Sequence, residues 1–293
     1  MTQGPLNLTG KVALVTGVSD DVGFGWHIAK ALQAAGAEII LLSHPRVCSI
    51  VERFLTRDKS AAERELPFGV AGGLKPKALI GCDVGADTLD DIPVEQRGEK
   101  GYDGKDVSIE GAFKAVAELT PHVDIVIHCV AFSPEISKSL PDVSRKAYLL
   151  AQSISSYSLT ALARAARPLM KGREGSIVGL SYIASERAVA FYGGGMSGAK
   201  ASLESDARLL SWFLGEDGHR VNIVSAGPYA SRAAKSIGDI GVMIDTTASK
   251  SPLRRAIDAE DVANAVIFLC SDLSRNITGT TMYVDAGYHA MGA

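Results

Sequence analysis

The chain of 293 residues is 46% apolar and 22% charged with a formal net charge of −3, which is enough apolar material for a large core. A near-neutral balance without a basic stripe excludes a typical nucleic-acid binder. No apolar run approaches the roughly 18 residues that span a bilayer, and the N-terminal MTQGPLNLTGK lacks the apolar segment of a signal peptide.

Lys11–Gly17 (KVALVTG) is a β-branched apolar run and reads as a strand buried on both faces. Apolar residues then recur at helical spacing from Phe24 to Ala35, Gly36 stops the helix, and Ala37–Ser43 forms a second strand. This βαβ unit implies a parallel sheet. Residues 44–107 break the rhythm as a long insertion. A helix over Ser49–Leu66 and a strand over Ala78–Val84 lead into an Asp-, Gly- and Glu-rich stretch to Asp106 without a period, expected as a surface excursion near a site. Regular alternation resumes with a helix over Ile109–Leu119, a strand over Val123–Ala131, a long helix over Asp142–Met170 and a strand over Gly175–Ser181. Lys200–Leu214 lies in a further helix and Arg220–Ala226 is a strand. Gly227–Ile257 is irregular or loosely helical, Ala259–Cys270 is a helix and Thr280–Gly287 a last strand. Seven strands alternating with helices predict one doubly wound, Rossmann-like α/β domain spanning residues 1–293, with neither repeat nor linker.

The four cysteines, Cys48, Cys82, Cys129 and Cys270, form no CxxC pair and no zinc spacing. No metal is expected, and they read as small buried hydrophobes in a reducing compartment. Gly17, Gly23 and Gly25 lie between the first strand and the first helix. There the helix N-terminus suits a pyrophosphate and glycine lets the backbone come close. The acid usual at the end of the second strand is replaced by Ser43-His44-Pro45-Arg46. His44 can stack on an adenine or face solvent. Arg46 can take a 2′-phosphate, favouring NADPH, or stay a solvated loop residue. At the end of the third strand, Asp83 and Val84 are placed to bracket the adenine by amine and ring face.

Past the fifth strand stand Tyr182, Tyr192 and Lys200. A free tyrosine titrates near pH 10, and an ammonium nearby is expected to lower that value. Lys200 can also hold ribose hydroxyls.

At these residues the chain resembles the short-chain dehydrogenase/reductase superfamily, and within it the NADH-dependent enoyl-acyl-carrier-protein reductases. The resemblance is carried by Gly17–Leu32, CDV (Cys82–Val84), SYIASERAV (Ser181–Val189), MSGAKASLESD (Met196–Asp206), VNIVSAGP (Val221–Pro228) and TGTTMYVDAG (Thr278–Gly287). ISSYSL (Ile154–Leu159) and SRAAKSIG (Ser231–Gly238) agree. Ordinary short-chain reductases keep a serine about 13 residues before the active tyrosine; that position is Gly179 here, and Tyr182 lies ten residues before Tyr192 as in enoyl reductases. YGGGM and the insertion look like the plastid-type branch, whereas HCVAFSP (His128–Pro134) looks like the common bacterial form. His44 stands where plastid-type enzymes usually carry tryptophan, and Ala190 where proline is common.

The resemblance implies reduction of a trans-2-enoyl thioester by hydride from NADH. Tyr192 would donate to the thioester oxygen, Tyr182 stand beside it, and Lys200 fix the nicotinamide ribose. It implies cofactor contacts from Gly17, Gly23, Phe24, Trp26, His44, Asp83 and Val84, and from Cys129, Val130 and Ala131. Leu180, Ser181, Lys200, Ala226, Gly227, Pro228 and Tyr229 complete that set. The substrate would meet Ala131, Ser133, Tyr182, Tyr192, Met196 and Ile237, with residues 227–257 as a covering loop. A carrier-protein-linked substrate, a homotetramer, and residence in the bacterial cytoplasm or plastid stroma follow, with no nucleic-acid or membrane partner. A short-chain reductase acting on a ketone or 3-ketoacyl thioester, or an idle dinucleotide sensor, is the alternative.

Overall fold

The computed structural model describes residues 6–232, 234 and 240–292. Seven strands, β1 (Val12–Thr16), β2 (Glu38–Ser43), β3 (Ala78–Gly81), β4 (Ile125–His128), β5 (Ser176–Ser181), β6 (Arg220–Ala226) and β7 (Thr281–Val284), form one sheet in the order β3-β2-β1-β4-β5-β6-β7. Every pairing is parallel. The reversal of strand order between β1 and β4 opens a crevice at the carboxyl edge, where ligands of such sheets bind.

Both faces of the sheet are covered, as the continuous apolar strands require. Along β1, Ala13 and Val15 enter a core shared with α1 (Phe24–Ala34) and α9 (Ala259–Cys270), while Val12 and Leu14 enter the opposite core. That second core is closed by α4 (Ile109–Leu119), α6 (Ser158–Met170) and α7 (Met196–Gly215). The strand period of two divides the apolar residues between the layers.

Three expected elements differ. The helix expected over Ser49–Leu66 breaks into α2 (Cys48–Thr56), a 3-10 turn and α3 (Ala61–Arg64). The break is capped from within: Arg64 donates to the carbonyls of Phe54 and Arg57, each at 2.8 Å, supplying partners that a helix end otherwise lacks. The helix expected over Asp142–Met170 is α5 (Arg145–Gln152) and α6 joined by a π-helical stretch, Ser153–Tyr157. Within it Ser155 bonds both the amide and the carbonyl of Phe132, at 2.9 and 3.2 Å, an outside hold at the widened turn. The stretch 227–257, expected as irregular or loosely helical, contains a regular eleven-residue helix, α8 (Ile240–Lys250).

The 85–106 excursion is ordered around a small core of its own, made of Ala86, Ile92, Tyr102 and Val107. It is pinned to α6 through Asp87, which accepts from Tyr157 at 2.8 Å and Arg164 at 2.7 Å. No helix among the described residues is long and apolar enough to cross a membrane.

Candidate active site

The carboxyl ends of β1 and β4 approach so closely that residue 17 has no room for a side chain. Gly17 adopts φ +75°, and a Cβ there would lie 2.0 Å from the Cys129 carbonyl oxygen. Thr16 fastens the same junction, donating to Ile127 O at 2.9 Å and accepting from the Cys129 amide at 3.3 Å. The Asp20 carboxylate accepts from the amides of Val22 and Gly23, turning the chain into α1, whose first turn has no side-chain cap. Phe24 packs on Tyr229 at 5.1 Å between ring centroids, which brings the exit of β6 to the start of α1. A glycine cradle with an uncapped helix start suits a pyrophosphate.

Trp26 is corrected by the structure. Its indole is 1% exposed and donates to Glu63 O at 2.9 Å, packed beside Phe54. It supports α3 from the core and does not face the crevice.

At the ends of β2 and β3, His44 and Asp83 are brought together by a residue that sequence reasoning missed. The Tyr102 hydroxyl donates to Asp83 at 2.7 Å and lies 3.1 Å from His44 Nε2. Since the phenol's one proton goes to Asp83, the imidazole donates to Tyr102, while its Nδ1 accepts from the Arg46 amide. Burial pulls the His44 pKa down, so the ring is a neutral donor. Arg46 is engaged by Glu99 at 2.6 Å. A lone aromatic inside a polar stretch was the available sequence signal for Tyr102. Val84 is nearly buried in the core that also holds Leu14.

At the other end, Tyr182 leaves β5 and meets Tyr192, which precedes α7, with ring centroids 5.0 Å apart. Burial pushes both phenols well above the usual tyrosine range. That overturns the expectation that a neighbouring ammonium lowers them: both stay protonated donors. Lys200 is buried and donates to Leu180 O at 2.7 Å. Desolvation pushes its pKa down to about 8, against the attraction of Glu204. Ser181 spends its hydroxyl on Glu204, so it offers a ligand only its backbone. His128 closes the floor: its ring bonds Ser158 at 2.7 Å, and burial, then Lys200, pushes it down to about 3.

Gly179 lies within β5, and a Cβ there would point into Ile223, Leu159 and Leu203. A serine at this spacing would face the core; the residue leaving the strand toward Tyr192 is Tyr182.

Tyr192 is positioned by the glycines after it. Side chains at 193, 194 and 195 would strike Lys138 O at 2.0 Å, Ser133 Oγ at 2.5 Å and Tyr148 at 2.7 Å respectively. Ser133, expected to meet substrate, is buried and donates to Gly194 O at 2.8 Å, so its hydroxyl holds the loop instead. Met196 is buried against Ser155. At the exit of β4 Cys129 and Val130 are partly buried and Ala131 is exposed, and Ala226, Gly227 and Pro228 are buried at the exit of β6. Ile240 and Met243 of α8 join Tyr182 and Tyr192 in one apolar cluster, whereas Val242 faces solvent. Ile237 lies outside the described residues. A separate cavity of about 540 Å³ opens between α2 and edge strand β3, lined by Cys48, Leu55, Leu79 and Lys105, among others; neither tyrosine borders it.

Residues 104–289 match the family model described as enoyl-(acyl carrier protein) reductase. The chain is 43% identical over 290 residues to a chloroplastic NADH enoyl-[acyl-carrier-protein] reductase of Arabidopsis thaliana, covering 98% of this chain and 74% of that one. An NADH enoyl-[acyl-carrier-protein] reductase of Aquifex aeolicus is 35% identical, with 97% and 93% covered. The structure superimposes on the Plasmodium berghei enoyl-acyl-carrier-protein reductase, solved with triclosan, with a TM-score of 0.91 at 36% identity, covering 97% and 99% of the two chains.

Proposed function

The chain belongs to the enoyl-acyl-carrier-protein reductases, NADH-dependent oxidoreductases of the short-chain dehydrogenase/reductase superfamily, and on that premise we propose how its residues reduce a trans-2-enoyl thioester of type II fatty acid synthesis. The nicotinamide, when bound, supplies hydride to the β-carbon of the enoyl group. The observation that carries the reading is the pair of protonated tyrosines in edge contact, Tyr182 buried at the exit of β5 and Tyr192 partly buried ahead of α7.

As the β-carbon is reduced, negative charge develops on the thioester oxygen. Tyr192 donates its hydroxyl proton in a hydrogen bond to that oxygen, from a site whose burial strengthens the interaction. Tyr182 packs the ring of Tyr192 in place and offers a second hydroxyl beside it. Lys200, which donates to Leu180 O, would hold the ribose hydroxyls of the bound coenzyme and supply positive charge to the site. Gly17 and the start of α1 would hold the pyrophosphate, and Asp83 with His44 would hold the adenosine. Stretch 227–257, through Ile240 and Met243, covers the acyl chain and excludes water.

The substrate arrives on acyl-carrier protein, in the bacterial cytoplasm or the plastid stroma. The working unit is a homotetramer with 222 symmetry. Leu209, Trp212 and Phe213 on α7, with Tyr148, Leu149 and Tyr157 on α5 and the π-helical stretch, are exposed apolar side chains that two-fold contacts would cover. NADH oxidation with crotonyl and acetoacetyl thioesters tests the reaction: turnover of the first and not the second is expected, and the reverse overturns it.

A further inference from the structure

In this fold an acid at the end of the second strand normally meets the adenosine ribose, and here that acid is missing. The excursion brings a carboxylate to the same turn from elsewhere in the chain. Gly101 takes φ +94°, and a Cβ there would stand 2.5 Å from Pro45 O, so the excursion lies directly on the turn after β2 at this residue. The Tyr102 amide bonds Glu99 O at 2.9 Å, and its hydroxyl joins Asp83 and His44. Glu99 Oε2 accepts from Arg46 Nη2 at 2.6 Å, and the guanidinium lies 5.8 Å from the Tyr102 ring.

We infer that Glu99 is the coenzyme-specificity residue of this enzyme, acting by occupying Arg46. A 2′-phosphate at this turn needs the guanidinium to leave a charge-assisted bond, and it then stands beside a carboxylate left without a partner. A 2′-hydroxyl meets neither cost. Both side chains are about half exposed, so the pair contributes little to stability; its consequence lies in the choice between NADH and NADPH. The inference rests on the reading of this crevice as a nicotinamide-coenzyme site, and its test reads binding rather than turnover.

Dissociation constants for NADH and NADPH, measured by coenzyme fluorescence on the full chain at one ionic strength, supply that test. In Glu99→Gln the ratio of the NADPH constant to the NADH constant is expected to fall about tenfold, the scale of one charge-assisted hydrogen bond. Adding Arg46→Ala to Glu99→Gln should restore the ratio toward wild type. A ratio that does not move in Glu99→Gln, or that falls equally with Arg46 removed, overturns the inference. Failure of the enoyl reaction would show in turnover and leave this ratio untouched.

Discussion

Tyr182 and Tyr192 meet edge to face, their ring centroids 5.0 Å apart and their planes at 67°. The contact divides their labour, because one ring can be fixed by the other while a hydroxyl points at substrate.

Tyr192→Phe keeps the ring packing and removes one hydroxyl. Loss of a preorganised donor at a developing oxyanion costs about 3–4 kcal/mol, roughly 100- to 1,000-fold in turnover, and Tyr182 beside it holds the loss toward the lower end. NADH affinity should hold, since Gly17, Asp83 and Lys200 are untouched. Steady-state turnover of a short enoyl thioester, with the NADH constant measured separately, checks both. Near wild-type turnover would transfer the donor role to Tyr182.

Lys200 makes coenzyme binding depend on pH. Its folded pKa of about 8 is below the ordinary 10.5. Below about pH 8 the folded state therefore holds a desolvated ammonium at a cost in stability, and that cost fades as pH rises from about 8 to 10.5. Binding that uses the ammonium runs the other way, weakening as pH rises through about 8 in the free enzyme. Glu204, Cys129 and His128 are the titratable neighbours, and burial holds the last two neutral there. NADH titrations from pH 6.5 to 9.5, compared between wild type and Lys200→Met, should show the slope in wild type and lose it in the variant.

Gly193→Ala tests the glycine run. The new methyl would meet Lys138 O and Ile136 O, at 2.0 and 2.8 Å, and both are backbone atoms. Overpacking of this kind costs about 1–3 kcal/mol, and displacing Tyr192 by about 1 Å should lower turnover on the order of 100-fold. Gly215→Ala, at the end of α7 with nothing within 4 Å, is the control. It should match wild-type turnover and, through helix propensity, raise the melting temperature slightly. Equal turnover in the two variants would contradict the account.

Trp212→Glu places a charge on the apolar face of α7, where the indole is 72% exposed. Sedimentation at micromolar concentration should show a tetramer for wild type and a smaller species for the variant. A wild-type monomer would remove the assembly from the reading.

The strands and their order of alternation were legible because a parallel sheet covered on both faces writes continuous apolar runs into the sequence. The place of the candidate site was legible for the same reason: Gly17, Asp83, Tyr182 and Ala226 each stand at or just past the end of such a run. What stayed hidden depends on contacts distant along the chain. Nothing near Ser49–Leu66 announces that Arg64 turns back to cap Phe54, and Trp26 reads as part of a cofactor motif until Glu63 is seen to hold it. Ser133 looked available for substrate because its partner, Gly194, lies 61 positions away. The pairing of Tyr102 with His44 spans 58 positions in a stretch without any period, so no local pattern could disclose it.

Gly179 carries a consequence for descent. Since a side chain at 179 would meet the tip of Ile223 at 2.7 Å with Leu159 and Leu203 around it, placing the serine of ordinary short-chain reductases at that spacing directs its hydroxyl into the core and adds no donor to the crevice. The chemistry of a carbonyl reductase is therefore not one mutation distant. A lineage moving between the two reactions must bring a hydroxyl to the crevice from another position and also replace Tyr182.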